Sequence, residues 1–218
     1  MKFSLVAPIY NEEKHIKRSI DSVLEQDVDF ELIYMDGGST DKTHEIIRSY
    51  NDPRIKLIIV PSYRGEDKEL ELRESQKRVN MGIELASGDI FFLTSGHDYF
   101  YPDAFKTVRE NIGEAGWLMG GLSKVSEEGK VVKRYPIETG YSCGFIRMDI
   151  IRQHNIKLDV TLAAADYDLF MQVKKAVGEP KRIKAWLYKY MIHPKALSKE
   201  YNWRMKRERR QINKKYFG

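Results

Sequence analysis

Residues 3–36, FSLVAPIYNEEKHIKRSIDSVLEQDVDFELIYMD, carry two hydrophobic periods in succession. FSLVAP (3–8) is a continuous apolar run of the length a buried strand needs. From about Glu12 to Gln26, the residues Ile16, Ile20, Val23 and Leu24 recur at helical spacing and share one face. ELIYMD (31–36) returns to a strand. A strand, a helix and a second strand in this order predict two parallel strands joined by a right-handed crossover.

The rhythm continues outward. GGST (37–40) supplies glycines for a tight turn, with Ser39 or Thr40 as the expected cap of a helix over DKTHEIIRSY. IKLIIV (55–60) is a third strand. A charged stretch from Pro61 to about Arg73 reads as a loop running into a helix that ends near Ala86. GDIFFL (88–93) is a fourth strand, and Pro102 is placed as the first helical residue of PDAFKTVREN. WLMGGLSKV and KVVKRY read as strands around a Glu127-Glu128-Gly129 turn. A helix is expected over Asp166–Val177, stopped by Gly178. KRIKAWLYKYMI is a late strand before a basic helix at the C-terminus. The predicted class is α/β, a Rossmann-like, mostly parallel central sheet flanked by helices, with a small additional β element and that basic helix.

The chain has 218 residues, 42% of them hydrophobic, enough to bury a core in a single domain. One cysteine, Cys143, excludes an intrachain disulfide and reads as a lone buried thiol. No signal peptide and no run of about 18 apolar residues is legible, so a cytoplasmic location is the expectation. The net charge of +5 is uneven: residues 181–218 hold 13 Lys and Arg against two acidic residues. Such a tail suits an anionic surface, including peripheral contact with a membrane, or is a solvated helix. No nucleic-acid recognition motif accompanies the charge, and nucleic acid is not an expected partner.

In an open parallel sheet, ligands bind beyond the carboxyl ends of the strands. Three strand ends converge there: Pro8 to Glu12, Asp36, and Thr94 to Asp98. The chain has no GxxxxGK[ST] loop, no GxGxxG after the first strand and no GxSxG elbow, which sets aside P-loop, dinucleotide-binding and α/β-hydrolase chemistry.

The motifs SLVAPIYNEEKHIKRSIDSVLEQ, FELIYMDGGSTDKT, NMGIELASGDIFFL, YFYPDAF and AAADYDLFMQV, in that order, resemble those of the family 2 glycosyltransferases. That resemblance spans Ser4 to Val173 and implies a GT-A fold. It implies inverting transfer of a sugar from a nucleotide-diphosphate donor, usually UDP-linked, to a glycan or lipid-linked acceptor. By position, Pro8, Tyr10, Glu12 and Asp36 would hold the nucleotide, with Asp36 accepting a hydrogen bond from the base. Ser95 and Arg73 are further nucleotide contacts, with Arg78 the alternative to Arg73. Asp166 falls at the place of the general base, in Ala165-Asp166 where the family often has Glu-Asp. Asp166 as a plain helix cap is the competing reading. Residues 1–98 would form the nucleotide-binding half, 99–195 the acceptor-binding half and 196–218 the basic tail.

The metal motif departs from the family. Counting back from Pro102, Asp98 matches the last acid of the Asp-x-Asp type stretch, and His97 stands where the principal metal carboxylate is normal. His97 with Asp98, and with His193 approaching from MIHPKALS, could hold Mn²⁺ or Mg²⁺, imidazole favouring the former. Alternatively basic side chains neutralise the diphosphate without metal, or donor chemistry is lost, leaving a non-catalytic nucleotide-sugar or glycan-binding module. A nucleotidyltransferase is a further alternative, although PIYNEEKH does not supply its glycine-rich phosphate loop.

Overall fold

The computed structural model describes residues 1–61, 65, 67–135, 143–192 and 201–218. The opening stretch forms β1 (Phe3–Ile9), α1 (Ile16–Leu24) and β2 (Phe30–Asp36), and the pattern extends through α2 (Thr43–Ser49), β3 (Ile55–Ile59), α3 (Lys68–Leu85) and β4 (Ile90–Leu93). A two-residue β5 (Tyr99–Phe100) precedes α4 (Ala104–Ile112), β6 (Trp117–Val125) and β7 (Val131–Tyr135). Then come β8 (Gly144–Arg147), α5 (Met148–Gln153), α6 (Ala165–Val177), β9 (Lys181–Met191) and α7 (Asn202–Phe217).

The strands join one sheet in the order β3-β2-β1-β4-β8-β6-β9-β5, with β7 on β6. The first four are parallel, as the crossover pattern requires. Beyond β4 the pairing changes: β4 with β8, β8 with β6, β6 with β7 and β9 with β5 are antiparallel, and only β6 with β9 is parallel. The sheet is therefore mixed rather than mostly parallel, because β8 inserts antiparallel between β4 and β6 and reverses the strand direction of the second half.

Alternation along the central strands divides the core in two. Phe3, Leu5 and Ala7 of β1 and Phe30, Leu32 and Tyr34 of β2 face α1, α2 and α4. Val6, Ile33 and Met35 face the other way, onto α3, α5 and α6. Close approach of α3 depends on Gly82, where a Cβ would sit 2.5 Å from Val6 Cγ1. Buried Glu31 ties the sheet edge together, accepting from Ser4 Oγ at 2.6 Å, Ser87 N at 2.6 Å and Lys56 Nζ at 2.7 Å.

Several boundaries move for identifiable reasons. The first helix begins at Ile16 rather than near Glu12, because the backbone N–H groups of Asn11, Glu12 and Glu13 bond to Ser39, Thr43 and Asp41 instead of entering a helix. Ser39 thus bridges two loops and does not cap α2; Asp41 Oδ1 accepts from Thr43 N at 3.0 Å. Pro102 lies two residues before the start of α4, whose N-cap, Asp103, takes φ +58°. Cys143 is buried, and burial pushes its thiol up to about 12, in keeping with an inert thiol.

Candidate active site

The carboxyl ends of β1, β2 and β4 lie on one edge of the sheet, and the first two are stitched together. Asn11 N donates to Ser39 Oγ at 2.8 Å, Thr40 N to Asn11 Oδ1 at 2.8 Å, and Glu12 N to Thr43 Oγ1 at 2.8 Å. Asp36 anchors this seam. Its Oδ2 accepts from Gly38 N at 2.7 Å and Ser39 N at 2.9 Å and lies 2.9 Å from His44 Nε2, while its Oδ1 accepts from Ser39 Oγ at 2.5 Å. Burial pushes the Asp36 carboxyl up, but the bonds from Ser39 and His44 outweigh it and hold the group below its ordinary range. Asp36 is fully buried in this turn, whereas Pro8 and Tyr10 are half-buried at the edge.

Just after β4, Ser95 Oγ accepts from the backbone N–H of Asp98 at 3.2 Å and of His97 at 3.4 Å, curling Thr94–Asp98 into a compact turn. His97 Nδ1 lies 2.8 Å from Glu12 Oε1. Burial lowers the His97 imidazole, but the Glu12 hydrogen bond and the Asp98 charge outweigh it and raise the group above its usual range. Asp98 turns away from this edge toward β9: Met191 N donates to Oδ1 at 2.7 Å and the Tyr188 hydroxyl to Oδ2 at 2.8 Å. Burial raises the Asp98 carboxyl.

These commitments bear on the metal reading. Both Asp98 oxygens are used by β9, and His97 Nδ1 is used by Glu12. No group of three His, Cys, Asp or Glu side chains among the described residues converges as a metal site. His193 lies outside the described residues. Among the described residues, the side chains as arranged do not fit a divalent cation.

Asp166, in the first turn of α6, reaches a cavity of about 240 Å³ that Pro8 and Thr94 line from the strand ends. Gln76 and Val79 of α3 and Tyr201 and Met205 beside and on α7 complete its wall. Polar residues of α3 fix the segment before α6. Asn80 donates to Leu158 O at 3.0 Å and accepts from Leu158 N at 2.8 Å, and Gln76 donates to Leu162 O at 2.7 Å. Asp166 Oδ1 accepts from Tyr167 N at 2.7 Å, and burial raises its carboxyl above the ordinary range. Asp168, two residues on, points elsewhere, buried against Gln172 at 2.7 Å and Lys215 at 3.9 Å. A half-buried carboxylate lining one cavity with two sheet-edge residues is placed to accept a proton from a hydroxyl brought into that cavity.

Glu12, Ser95 and His97 therefore meet at the edge, Asp36 is buried in the turn after β2 and Asp98 is turned toward β9, while Asp166 shares a cavity with Pro8. Arg73 is half-exposed on α3, 3.7 Å from Glu69, and Arg78 is buried; neither lines that cavity. Sequence reading missed the contribution of Tyr201 and Met205, which no local pattern connects to Asp166.

The family model for glycosyl transferase family 2 matches residues 4–172. A Methanococcus voltae dolichyl N-acetyl-α-D-glucosaminyl phosphate 3-β-D-2,3-diacetamido-2,3-dideoxy-β-D-glucuronosyltransferase is 27% identical over 157 residues, which cover 64% of this chain and 46% of the relative. Staphylococcus aureus TarS 1–349 in complex with UDP-GlcNAc superposes with a TM-score of 0.71 at 19% identity, over 90% of this chain and 60% of that one. The mannosyltransferase PcManGT of Pyrobaculum calidifontis, in complex with GDP-Man and Mn²⁺, gives 0.62 at 16% identity, over 94% and 60%. This chain thus spans less than half of that curated relative and about three-fifths of those structures. Their likeness bears out the GT-A architecture that the motifs imply. With the model match running from Ser4 on β1 to Gln172 on α6, the chain belongs to glycosyl transferase family 2.

Proposed function

We propose that this domain transfers a sugar from a nucleotide-diphosphate donor, UDP-linked by preference, to a hydroxyl of a glycan or lipid-linked acceptor with inversion. The observation that carries the reading is the cavity in which Asp166 faces Pro8 and Thr94, the ends of β1 and β4. The nucleotide lies over the ends of β1 and β2, with Pro8, Tyr10 and Glu12 as its wall; Asp36, buried behind them with both oxygens bonded to Gly38, Ser39 and His44, orders the turn rather than bonding the base. The acceptor oxygen attacks the anomeric carbon as its proton passes to the Asp166 carboxylate. The bond to the diphosphate breaks on the opposite face, and its electron pair leaves on the diphosphate oxygen. His97 and Asp98 are engaged with Glu12 and β9, so neither takes part in the transfer as a ligand of a divalent cation.

The names of the relatives support the substrate classes. TarS is described with UDP-GlcNAc and the Methanococcus protein as acting on a dolichyl-linked sugar phosphate. The domain division is also proposed, with residues 1–98 for the nucleotide and 99–195 for the acceptor. Peripheral membrane contact through the 196–218 tail would suit a lipid-linked acceptor; no helix among the described residues is long and apolar enough to cross a membrane.

A screen of nucleotide sugars for binding and hydrolysis, with and without Mn²⁺, identifies the donor, and failure to bind any of them defeats the transferase reading. With the donor known, Asp166→Asn is expected to lower turnover about 10²–10⁴-fold while nucleotide affinity stays within about twofold. Undiminished turnover would remove Asp166 from the role of base. Since burial raises the Asp166 carboxyl, the acid limb of the rate profile should lie above the ordinary carboxylate range.

A further inference from the structure

A second groove, of about 520 Å³, adjoins the Asp166 cavity and shares Tyr201 with it. Its floor is pre-ordered by ion pairs. Arg204 donates to Glu69 Oε1 at 2.5 Å, to Glu208 Oε1 at 2.7 Å and to Thr161 O at 2.9 Å. Glu208 Oε2 in turn accepts from Ala164 N at 2.9 Å, two residues before Asp166. The floor is thus linked to the backbone that presents Asp166.

The rim is a line along α7. Trp203, Arg207 and Gln211 follow at four-residue intervals and share one face. Trp203 is 67% exposed, and the Arg207 guanidinium sits 5.3 Å from its ring centroid. Each interval advances about 6 Å along the helix, close to the length of one pyranose unit. An indole face offers apolar contact to the C–H face of a sugar. The guanidinium and amide beyond it supply hydrogen bonds to hydroxyls, the mixture expected of a saccharide platform.

We propose that this groove is a saccharide subsite of the acceptor, holding the units that follow the one presented to Asp166, with Trp203 and Arg207 as its main contacts. The inference rests on the transferase reading above and adds the substrate class: an oligosaccharide chain rather than a single sugar or a bare lipid. A lipid surface fits less well. The large exposed apolar side chains of α7, Trp203 and Phe217, stand at opposite ends of the helix with charged residues between them, not on one apolar face.

The test uses the full chain, wild type and the Trp203→Ala, Trp203→Phe and Arg207→Ala variants, against an array of defined neutral, N-acetylated and uronic oligosaccharides two to six units long. Expected are binding by the wild type that tightens from two to four units, and a loss of about tenfold for the longer chains in Trp203→Ala. A smaller loss is expected in Arg207→Ala, with most binding kept in Trp203→Phe. Absence of wild-type binding to any array member, length-independent binding, or equal binding by Trp203→Ala would overturn the proposal. So would a Trp203→Ala defect confined to anionic lipid vesicles or to molecular mass, which would assign the residue to a membrane or to self-association. A parallel UDP titration of the wild type keeps the two readings apart, since loss of UDP binding defeats the donor site and not the groove.

Discussion

Replacing Tyr188 by Phe tests whether Asp98 belongs to the fold or to a metal. The ring packs 5.0 Å from Phe92 and 5.1 Å from Phe100, and phenylalanine keeps that packing. Only the hydroxyl is lost, with its contacts to Thr94 Oγ1 at 2.9 Å and Asp98 Oδ2 at 2.8 Å. A neutral hydrogen bond contributes about 1 kcal/mol and one to a charged group about 1.5–3, so the buried pair together should cost about 2.5–4 kcal/mol. At about 2–4 °C per kcal/mol for a domain of this size, Tm should fall by about 5–15 °C in scanning calorimetry. The deficit should also grow with pH. Burial raises the folded pKa of Asp98, so the protonated form is favoured in the folded protein, and that contribution is lost as pH rises through the raised value. Removing a donor to the ionised form sharpens this loss. A fall of less than about 2 °C would show that Asp98 does not depend on β9. A rise in wild-type Tm with excess Mn²⁺ that is lost in Asp98→Asn would show that the cation binds the native state through Asp98. Either result would refute the assignment of Asp98 to the fold.

Two further outcomes follow from buried carboxylates. Burial pushes Glu31 up, but hydrogen bonds from Lys56, Ser4 and Ser87 outweigh it and hold its carboxyl far below the usual range. Its contribution is therefore present above the unfolded value of 4.5 and lost as pH falls toward the folded one, so Glu31→Gln should flatten the acid limb of a Tm-against-pH curve. Discounting the partly exposed Lys56, the variant should lose about 2–3 kcal/mol at neutral pH; an unchanged acid limb would disprove this role. Glu208→Ala removes the acceptor of both Ala164 N and Arg204 Nε. It should cost about 1–3 kcal/mol and speed amide exchange across α7 and at Ala164, and wild-type exchange there would show that the helix docks by other means.

Local periodicity made the first half of the fold legible. Ile16, Ile20 and Val23 mark a helix that covers one side of the sheet, and the alternating residues of β1 and β2 divide between its two faces. The second half was less so, since β5 has two residues and β8 four, too short for a period to register. Partner choice at the site was hidden for a different reason. Asp98 is set by Tyr188, 90 residues later, and Asp166 shares its cavity with Tyr201 and Met205 beyond β9. Nothing in the local sequence of either aspartate encodes those contacts. The aspartates themselves were found only because motif order fixed their positions.

The turn after β4 shows how one small residue redirects this chemistry. A Cβ at Gly96 would lie 2.8 Å from Glu12 Cγ and 2.9 Å from Ile9 Cγ2, so the ends of β1 and β4 can touch only because the side chain is absent. That contact brings the Glu12 carboxylate to His97, joining a residue matched to the nucleotide wall to one matched to the metal position. In the same turn Ser95 gathers the N–H groups of His97 and Asp98, which lets the Asp98 carboxylate leave the edge for β9. Exchanging His97 alone for an acid would therefore not rebuild a metal site. It would place a carboxylate against Glu12 and still leave Asp98 bonded to Tyr188 and Met191, and like charges at that distance repel. The surroundings of residue 97 are thus a concerted property of Glu12, Gly96, Ser95 and β9, none of which residue 97 encodes by itself.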